Sequence, residues 1–224
     1  TDLDFCELNP DLCFETNFKS VIKMIKYLKN EKIIFISSTG IYGNSIKDDF
    51  YDESSEINPT TIYHESKYKS ENYISSNYSN YIILRLGWLF GGDKKHKKNF
   101  VSKILKESSE SNIIHSNNKI IGSPTYTLDV AYQIYHLIIN NIKGIFNCTN
   151  KSKRPISRME YVKSIIDLSN LKNEVIPSGD NFFKRNANVP HNESCINLNL
   201  NKINLNKMPE WKISLENYIK RIGE

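Results

Sequence analysis

Tyr63 and Lys67 are the one tyrosine-lysine pair in this chain with a four-residue spacing, and the hydroxyl run Ser37-Ser38-Thr39 lies upstream of them. On a helix, positions i and i+4 share a face, so the phenol and the ammonium can meet one ligand. A free tyrosine ionises near ~10 and is a poor acid or base at neutral pH. A nearby ammonium favours the phenolate and lowers that value, which brings proton transfer into range. The Ser38 hydroxyl can bond the same substrate oxygen and hold it in place. Together the three groups suit proton transfer at a carbonyl or an alcohol, beside a hydride carrier.

The elements that must position these groups are legible around them. Ile33-Ile34-Phe35-Ile36 runs directly into the hydroxyls and has the pattern of a parallel strand buried on both faces. In open α/β sheets ligands bind at the carboxyl ends of the strands, where Ser38 falls. Residues 44–61 are polar and acidic, with a turn at Asn58-Pro59, and read as a surface loop near the substrate mouth. They lead into a helix carrying Tyr63, on which His64 points elsewhere and reads as a bystander.

Further along, helical spacing of Val21, Met24, Ile25 and Leu28 predicts an amphipathic helix over 15–30, with Asp11 or Thr16 as its cap. Residues 81–86 predict a second buried strand. Helices are expected over 99–108, 128–140, 157–168 and 213–222, and short strands over 112–115 and 144–147. Leu128, Ala131, Tyr132, Tyr135 and Ile138 form the apolar stripe of the second of these helices, and Gly122-Ser123-Pro124-Thr125 reads as a turn that caps it. The asparagine-rich stretch 172–206 predicts long loops with one or two short strands. The run Lys94-Lys95-His96-Lys97-Lys98 reads as a solvated surface loop.

Composition excludes several classes. With 224 residues, 39% hydrophobic and 25% charged, the chain suits one soluble domain, or one domain with a small second lobe. A net charge of +5 fits an anionic small molecule and is too weak to argue for nucleic acid. No run approaches ~18 apolar residues, so no membrane span is expected. Cys6, Cys13, Cys148 and Cys195 form no CxxC pair and no metal-ligand spacing with the histidines, which predicts free thiols, a cytoplasmic setting and no metal.

At this point the residues resemble a family, the extended short-chain dehydrogenase/reductases that act on nucleotide sugars. The gap from Ser38 to Tyr63 is similar to theirs, as are Ile41-Tyr42-Gly43 and Leu84-Arg85-Leu86-Gly87-Trp88-Leu89-Phe90-Gly91. The resemblance is strongest to the dTDP-4-dehydrorhamnose reductase branch. It runs through Asn99-Phe100, Gly122-Ser123-Pro124-Thr125 and Pro190-His191-Asn192 to Pro209-Glu210-Trp211, essentially the whole chain.

The resemblance implies an α/β fold: a Rossmann-type parallel sheet, truncated at its N-terminal side, with a smaller C-terminal substrate-binding lobe. Residues 1–150 would form the partial NAD(P)-binding domain and 151–224 mainly the lobe. It implies NAD(P)-dependent reduction of the 4-keto group of a nucleotide-linked deoxysugar. Ser38, Tyr63 and Lys67 would be catalytic; Asn17, Tyr63, Lys67, Leu86 and Gly87 would meet NADP or NAD. Thr39, Trp88, Asn99, Pro124, Thr125 and Asn192 would meet the nucleotide sugar. A homodimer is the assembly to test.

Three departures bear on this. The chain has no glycine before Gly40 and no G-x-G-x-x-G, the turn that lets backbone approach a pyrophosphate. The expectation is that an opening βαβ portion of roughly 60 residues is missing, and that the activity belongs to a longer parent chain. Where the family carries arginine-proline-x-asparagine-serine, this chain has Val189-Pro190-His191-Asn192-Glu193-Ser194, with the arginine replaced and one residue inserted. Ser38 is followed by Thr39-Gly40, as in the epimerases and dehydratases. A 4-epimerase or dehydratase with tightly held NAD⁺ is therefore an alternative, and a non-catalytic nucleotide-sugar or partner-binding relative is another.

Overall fold

The computed structural model describes residues 2–45, 48–96, 98–179 and 182–223. Helix α1 (Leu3–Leu8) comes first; Asp2 caps it by accepting from the Phe5 amide at 3.2 Å. Helix α2 (Pro10–Phe14), with proline in its first turn, passes through a π-helical stretch, Glu15–Lys19, into α3 (Ser20–Ile25). The expected helix 15–30 thus starts earlier, ends earlier and is interrupted. Val21 and Ile25 are buried as expected, whereas Met24 is exposed.

Strand β1 (Ile33–Ser38) leads into a 3₁₀ turn, Thr39–Tyr42, and after the connecting loop comes α4 (Ile62–Asn77). That loop is less superficial than its polarity implies, because Tyr51 is fully buried and stacks on Tyr42 with ring centroids 4.9 Å apart. Then follow β2 (Tyr81–Leu86), β3 (Trp88–Phe90), α5 (Phe100–Glu110), β4 (Ile113–Asn117), β5 (Ile121–Gly122) and β6 (Pro124–Tyr126). Residues 122–125 are therefore mostly strand rather than a capping turn, and α6 (Thr127–Ile139) has no side-chain cap. The rest comprises β7 (Gly144–Asn147), β8 (Ile156–Ser157), α7 (Arg158–Leu168), β9 (Glu174–Ser178), β10 (Asn192–Glu193), α8 (Leu198–Lys202) and α9 (Trp211–Gly223). The short α8 has no counterpart in the sequence reading.

A parallel sheet in the order β1-β2-β7 is the frame, with Ser38 opposite Leu86 and Arg85 opposite Asn147. On one face Ile33, Phe35 and Ile83 pack against Val21 and Ile25 of α3 and Ile74 of α4. On the other, Ile82, Leu84, Leu86 and Phe146 pack against Val130 and Leu137 of α6. The central strand β2 is buried on both faces as predicted. Edge strand β1 is not: Ile34 is half-buried and Ile36 is 38% exposed, so the second face is covered only in part.

The stripe expected to bury α6 also differs. Val130, Gln133 and Leu137 face inward, while Leu128, Tyr132, Tyr135 and Ile138 are exposed. Both stripes are apolar, and periodicity alone does not choose between them. A second core gathers β3, β6, α5, α7 and α9 around Phe90, Ile114, Tyr161, Trp211 and Tyr218. Its chain comes from both sides of residue 150. No helix among the described residues is long and apolar enough to cross a membrane.

Candidate active site

Ser38 ends β1 at the carboxyl edge of the sheet, and its Oγ accepts from the Gly40 amide at 3.3 Å, which starts the 3₁₀ turn. The flanking Ser37 and Thr39 hydroxyls are sealed from solvent and have no hydrogen-bond partner among the described residues. Ser38, half-buried, is the hydroxyl of this run that a ligand can reach. Gly43 closes the turn at φ +69°, where a Cβ would fall 1.9 Å from the Asn58 carbonyl oxygen.

Helix α4 lies across this turn and is fixed at its start and middle. Thr61 caps it, accepting from the His64 amide at 3.2 Å, and Glu7 of α1 accepts from the Ile62 amide at 2.8 Å. Farther along, Glu71 is bonded to Arg85 of β2 at 2.7 Å, and Arg85 donates to the Tyr42 hydroxyl at 2.9 Å. His64 does not point away from Tyr63 as expected. Its ring fills the space where a Cβ on Gly40 would sit, 2.2 Å away, and packs edge-on to Tyr63 at 5.3 Å. Burial lowers its pKa to about 4, so it is a neutral spacer between the turn and the tyrosine.

The electrostatics of Tyr63 and Lys67 also differ from the sequence reading. The Lys67 ammonium lies over the Phe35 ring at 4.0 Å, and burial lowers its pKa to about 8 against the pull of Glu71. Burial pushes the Tyr63 phenol up to about 12, and Cys6, Cys13 and Glu193 add to the rise. Desolvation wins over any help from Lys67. Tyr63 is therefore protonated throughout the neutral range, the state from which it can give a proton to a carbonyl oxygen.

The residues that the resemblance assigns to the cofactor end are scattered around this core. Asn17 sits in the π-helical stretch, a common place for functional residues, and donates to Ser66 Oγ at 3.2 Å and to Cys13 Sγ at 3.3 Å. Leu86 is buried at the end of β2. At Gly87 a Cβ would come within 2.3 Å of the Ser123 carbonyl oxygen, so the backbone needs glycine to pass.

Beside this edge opens a cavity of about 800 Å³. Lys103, Arg158, Lys184 and Arg185 are among its lining, with Glu107 the one carboxylate among the described residues, and Trp88 stands at its wall. The Arg158 guanidinium covers the Trp88 ring at 3.5 Å, and Trp88 Nε1 donates to Glu193 Oε2 at 2.9 Å. The wall formed by 183–189 is anchored by Asp4 of α1, whose Oδ1 accepts from the Asn186 and Ala187 amides at 2.7 and 2.9 Å. Thr60, just before α4, donates to the Asn188 carbonyl at 2.6 Å.

Of the expected substrate contacts, Trp88 lines the cavity. Thr39 is sealed, Pro124 and Thr125 are buried in β6 beside Trp88, and Asn99 caps α5 while bonding Asp93 and Tyr218. Asn192 is buried in β10, donating to the Asp49 carbonyl at 2.7 Å and accepting from Ser194 at 2.8 Å. Ser38, Tyr63 and Lys67 do not line the cavity; β10, packed against the 3₁₀ turn, links the two regions. Sequence reading missed Lys103, Arg158, Arg185 and Glu193. Their one signal is charge, and Val189, where the family pattern has arginine, diverted attention from Arg185 four residues earlier. In the lysine run Lys97 lies outside the described residues, and Lys94, Lys95 and Lys98 are exposed.

A parallel sheet with Ser38 at the carboxyl end of its first strand gives the molecule a Rossmann-like fold, shared with structures of nucleotide-sugar reductases and epimerases. The chain belongs to the RmlD substrate binding domain family, whose model matches residues 1–223. It is 28% identical over 145 residues to a dTDP-4-dehydrorhamnose reductase of Aggregatibacter actinomycetemcomitans, which covers 64% of this chain and 48% of that protein. Among solved structures, a dTDP-4-dehydrorhamnose reductase of Clostridium acetobutylicum superposes with a TM-score of 0.93 at 26% identity, over 100% of this chain and 78% of that one. The corresponding reductase of Bacillus anthracis, in complex with NADP, gives 0.91 at 27% identity over 99% and 77%. The chain spans about half the length of the curated relatives it matches.

Proposed function

We propose that this chain carries the substrate-binding and proton-transfer part of an NAD(P)-dependent reductase that acts on the 4-keto group of a nucleotide-linked deoxysugar. The observation that carries the reading is the cavity. Four cations against one carboxylate suit a diphosphate, and an indole under a guanidinium offers a flat wall to a base or sugar. Its volume is that of a site for a ligand of nucleotide-sugar size. The names of the relatives point to the same substrate class. The division into 1–150 and 151–224 enters as part of this proposal, with the second core extending the substrate lobe to residues 88–126.

The nicotinamide-ribose end of NADP or NAD fits the residues present. Lys67 has the Phe35 ring as its contact and keeps its donors for a ribose hydroxyl, beside the Tyr63 phenol. The pyrophosphate end does not fit, since no glycine turn for it occurs in the 224 residues. Bound there, the nicotinamide would supply hydride to the carbonyl carbon. Tyr63 gives its proton to the carbonyl oxygen, Ser38 donates a hydrogen bond that orients the same oxygen, and Lys67 steadies the charge of the tyrosine left behind. A reducing, cytoplasmic setting suits the four free, buried thiols.

The experiment is calorimetric titration with dTDP, followed by an NADPH absorbance assay with a dTDP-4-keto-6-deoxysugar. Binding of dTDP at micromolar levels that weakens as salt rises supports the cavity as the nucleotide site; no binding overturns it. Where turnover is measurable, Tyr63→Phe should cost about 10²–10⁴-fold in rate with dTDP affinity unchanged. Full turnover in that variant removes Tyr63 from the chemistry.

A further inference from the structure

Glu193 is the residue whose place the proposed reaction does not explain. It is 8% exposed and pairs in β10 with Gly122 of β5. Gly122 leaves room for the Trp88 indole, since a Cβ there would lie 2.3 Å from the ring. One carboxylate oxygen, Oε2, accepts from Trp88 Nε1 at 2.9 Å. No described group donates to the other. That oxygen is also absent from the sealed polar atoms that lack a partner, so it keeps some contact with solvent beside the cavity wall at Trp88.

A carboxylate this deeply placed is costly unless its acceptor sites are used. Trp88 uses one, and Arg158 supplies charge from across the indole without a hydrogen bond to it. Glu193 also lies between the two halves of the site. Trp88 lines the cavity on one side of it, while on the other β10 packs on the 3₁₀ turn and the field of Glu193 reaches Tyr63. A nucleotide sugar held by its diphosphate in the cavity and presenting its carbonyl to Tyr63 must carry its ring past this oxygen.

We propose that Glu193 is a specificity-determining substrate contact: its second oxygen accepts a hydrogen bond from a hydroxyl on the hexose ring and selects sugars bearing a donor there. This rests on the cavity being the nucleotide-sugar site. The contact is directional and acceptor-only, so a ring position bearing hydrogen in place of hydroxyl leaves the carboxylate unpaired. The nucleotide and diphosphate do not reach it.

The test compares dTDP with dTDP-rhamnose by calorimetry, on the full 224-residue chain and on two variants. In the native chain dTDP-rhamnose should bind about tenfold tighter than dTDP, the worth of one hydrogen bond to a charged acceptor. Glu193→Gln keeps an oxygen for Trp88 and removes the charge; it should bring the two ligands within about twofold while dTDP affinity stays fixed, which also reports that the variant is folded. Glu193→Asp, with the charge withdrawn by one methylene, should give an intermediate ratio. Native-like ratios in both variants, or a parallel weakening of both ligands, overturn the proposal and leave the nucleotide site standing. Equal binding of the two ligands by the native chain overturns it as well. Failure of the native chain to bind dTDP at all overturns the cavity reading, and this inference with it.

Discussion

The guanidinium of Arg85 on β2 and the carboxylate of Glu71 on α4 meet at 2.7 Å with side chains only 4% and 1% exposed. Arg85 also donates to the Tyr42 hydroxyl, which donates to Asn147 Oδ1 at 2.8 Å. One line of bonds thus ties the helix of Tyr63 to β2, to β7 and to the 3₁₀ turn that follows β1. Such a pair is weak evidence for net stability, because desolvation offsets its attraction, but leaving one partner alone is costly. Glu71→Gln should therefore lower the unfolding free energy by about 3–5 kcal/mol, whereas Glu71→Met with Arg85→Met should recover much of it. Urea denaturation of the native chain and the two variants decides; a double variant no better than the single would refute the account.

Gly40 and His64 make a steric lock with a pH signature. Gly40→Ala places a methyl 2.2 Å from the His64 ring and should cost about 1–3 kcal/mol, most of it regained over a His64→Ala background. Burial holds the His64 pKa at about 4 instead of 6.5, so between these values the unfolded chain binds more protons than the folded one. Stability supplied by the neutral ring is then complete above pH 6.5 and lost as pH falls toward 4, on the order of 3 kcal/mol. Denaturation at pH 4.5 and 7 should show this loss in the native chain and a smaller one in His64→Gln.

How much of this was legible in the sequence depends on the range of the interaction. Strand β2 and the helix that carries both Tyr63 and Lys67 could be read from local pattern, because buried strands and i, i+4 spacing are local properties. The choice between two apolar stripes on α6, and the half-covered face of β1, depend on what lies across the sheet. The Tyr63 balance was misjudged for the same reason. The four-residue spacing brings Lys67 to the right helix face, but Phe35, from another element, takes up its ammonium. Tyr42 and Arg85 were both visible as motif residues, yet nothing in the sequence says that they bond to one another.

Asp4 offers a test of how the cavity wall is held. Its Oδ1 accepts two successive backbone amides, and those bonds, that of Ala187 foremost, lower its pKa. Asp4→Ala should leave α4 and the main sheet unchanged while the amides of Asn186 and Ala187 exchange with solvent at least tenfold faster, the expected result of removing a charge-assisted acceptor. Hydrogen exchange read at those two amides checks it, with the Ile62 amide, held by Glu7, as the internal control. Unchanged exchange at 186 and 187 would mean that the wall is held by the Thr60 and Asn44 contacts instead.

Lys67 shifts in the same direction as His64 and from the same cause, but in an alkaline window. Burial lowers its pKa from 10.5 to about 8. Below pH 8 it is charged in both states, and the folded state bears the cost of holding an ammonium against Phe35. Between about 8 and 10.5 the folded chain has released the proton and the unfolded chain has not, so stability rises with pH across that window. Above 10.5 both are neutral and the cost is gone. Lys67→Met, which keeps the length and removes the charge, should therefore be more stable than the native chain at pH 7, with the difference shrinking to nothing by pH 11. Since Lys67 is only half-buried, solvent discounts the size of the gain but not its sign. Chemical denaturation of both proteins at pH 7, 9 and 11 measures it, and a Lys67→Met variant that is less stable at pH 7 would mean that the ammonium-ring contact outweighs its desolvation. A gain of that kind would mark a position where stability is given up to keep a charge in place, as the proposed role of Lys67 requires.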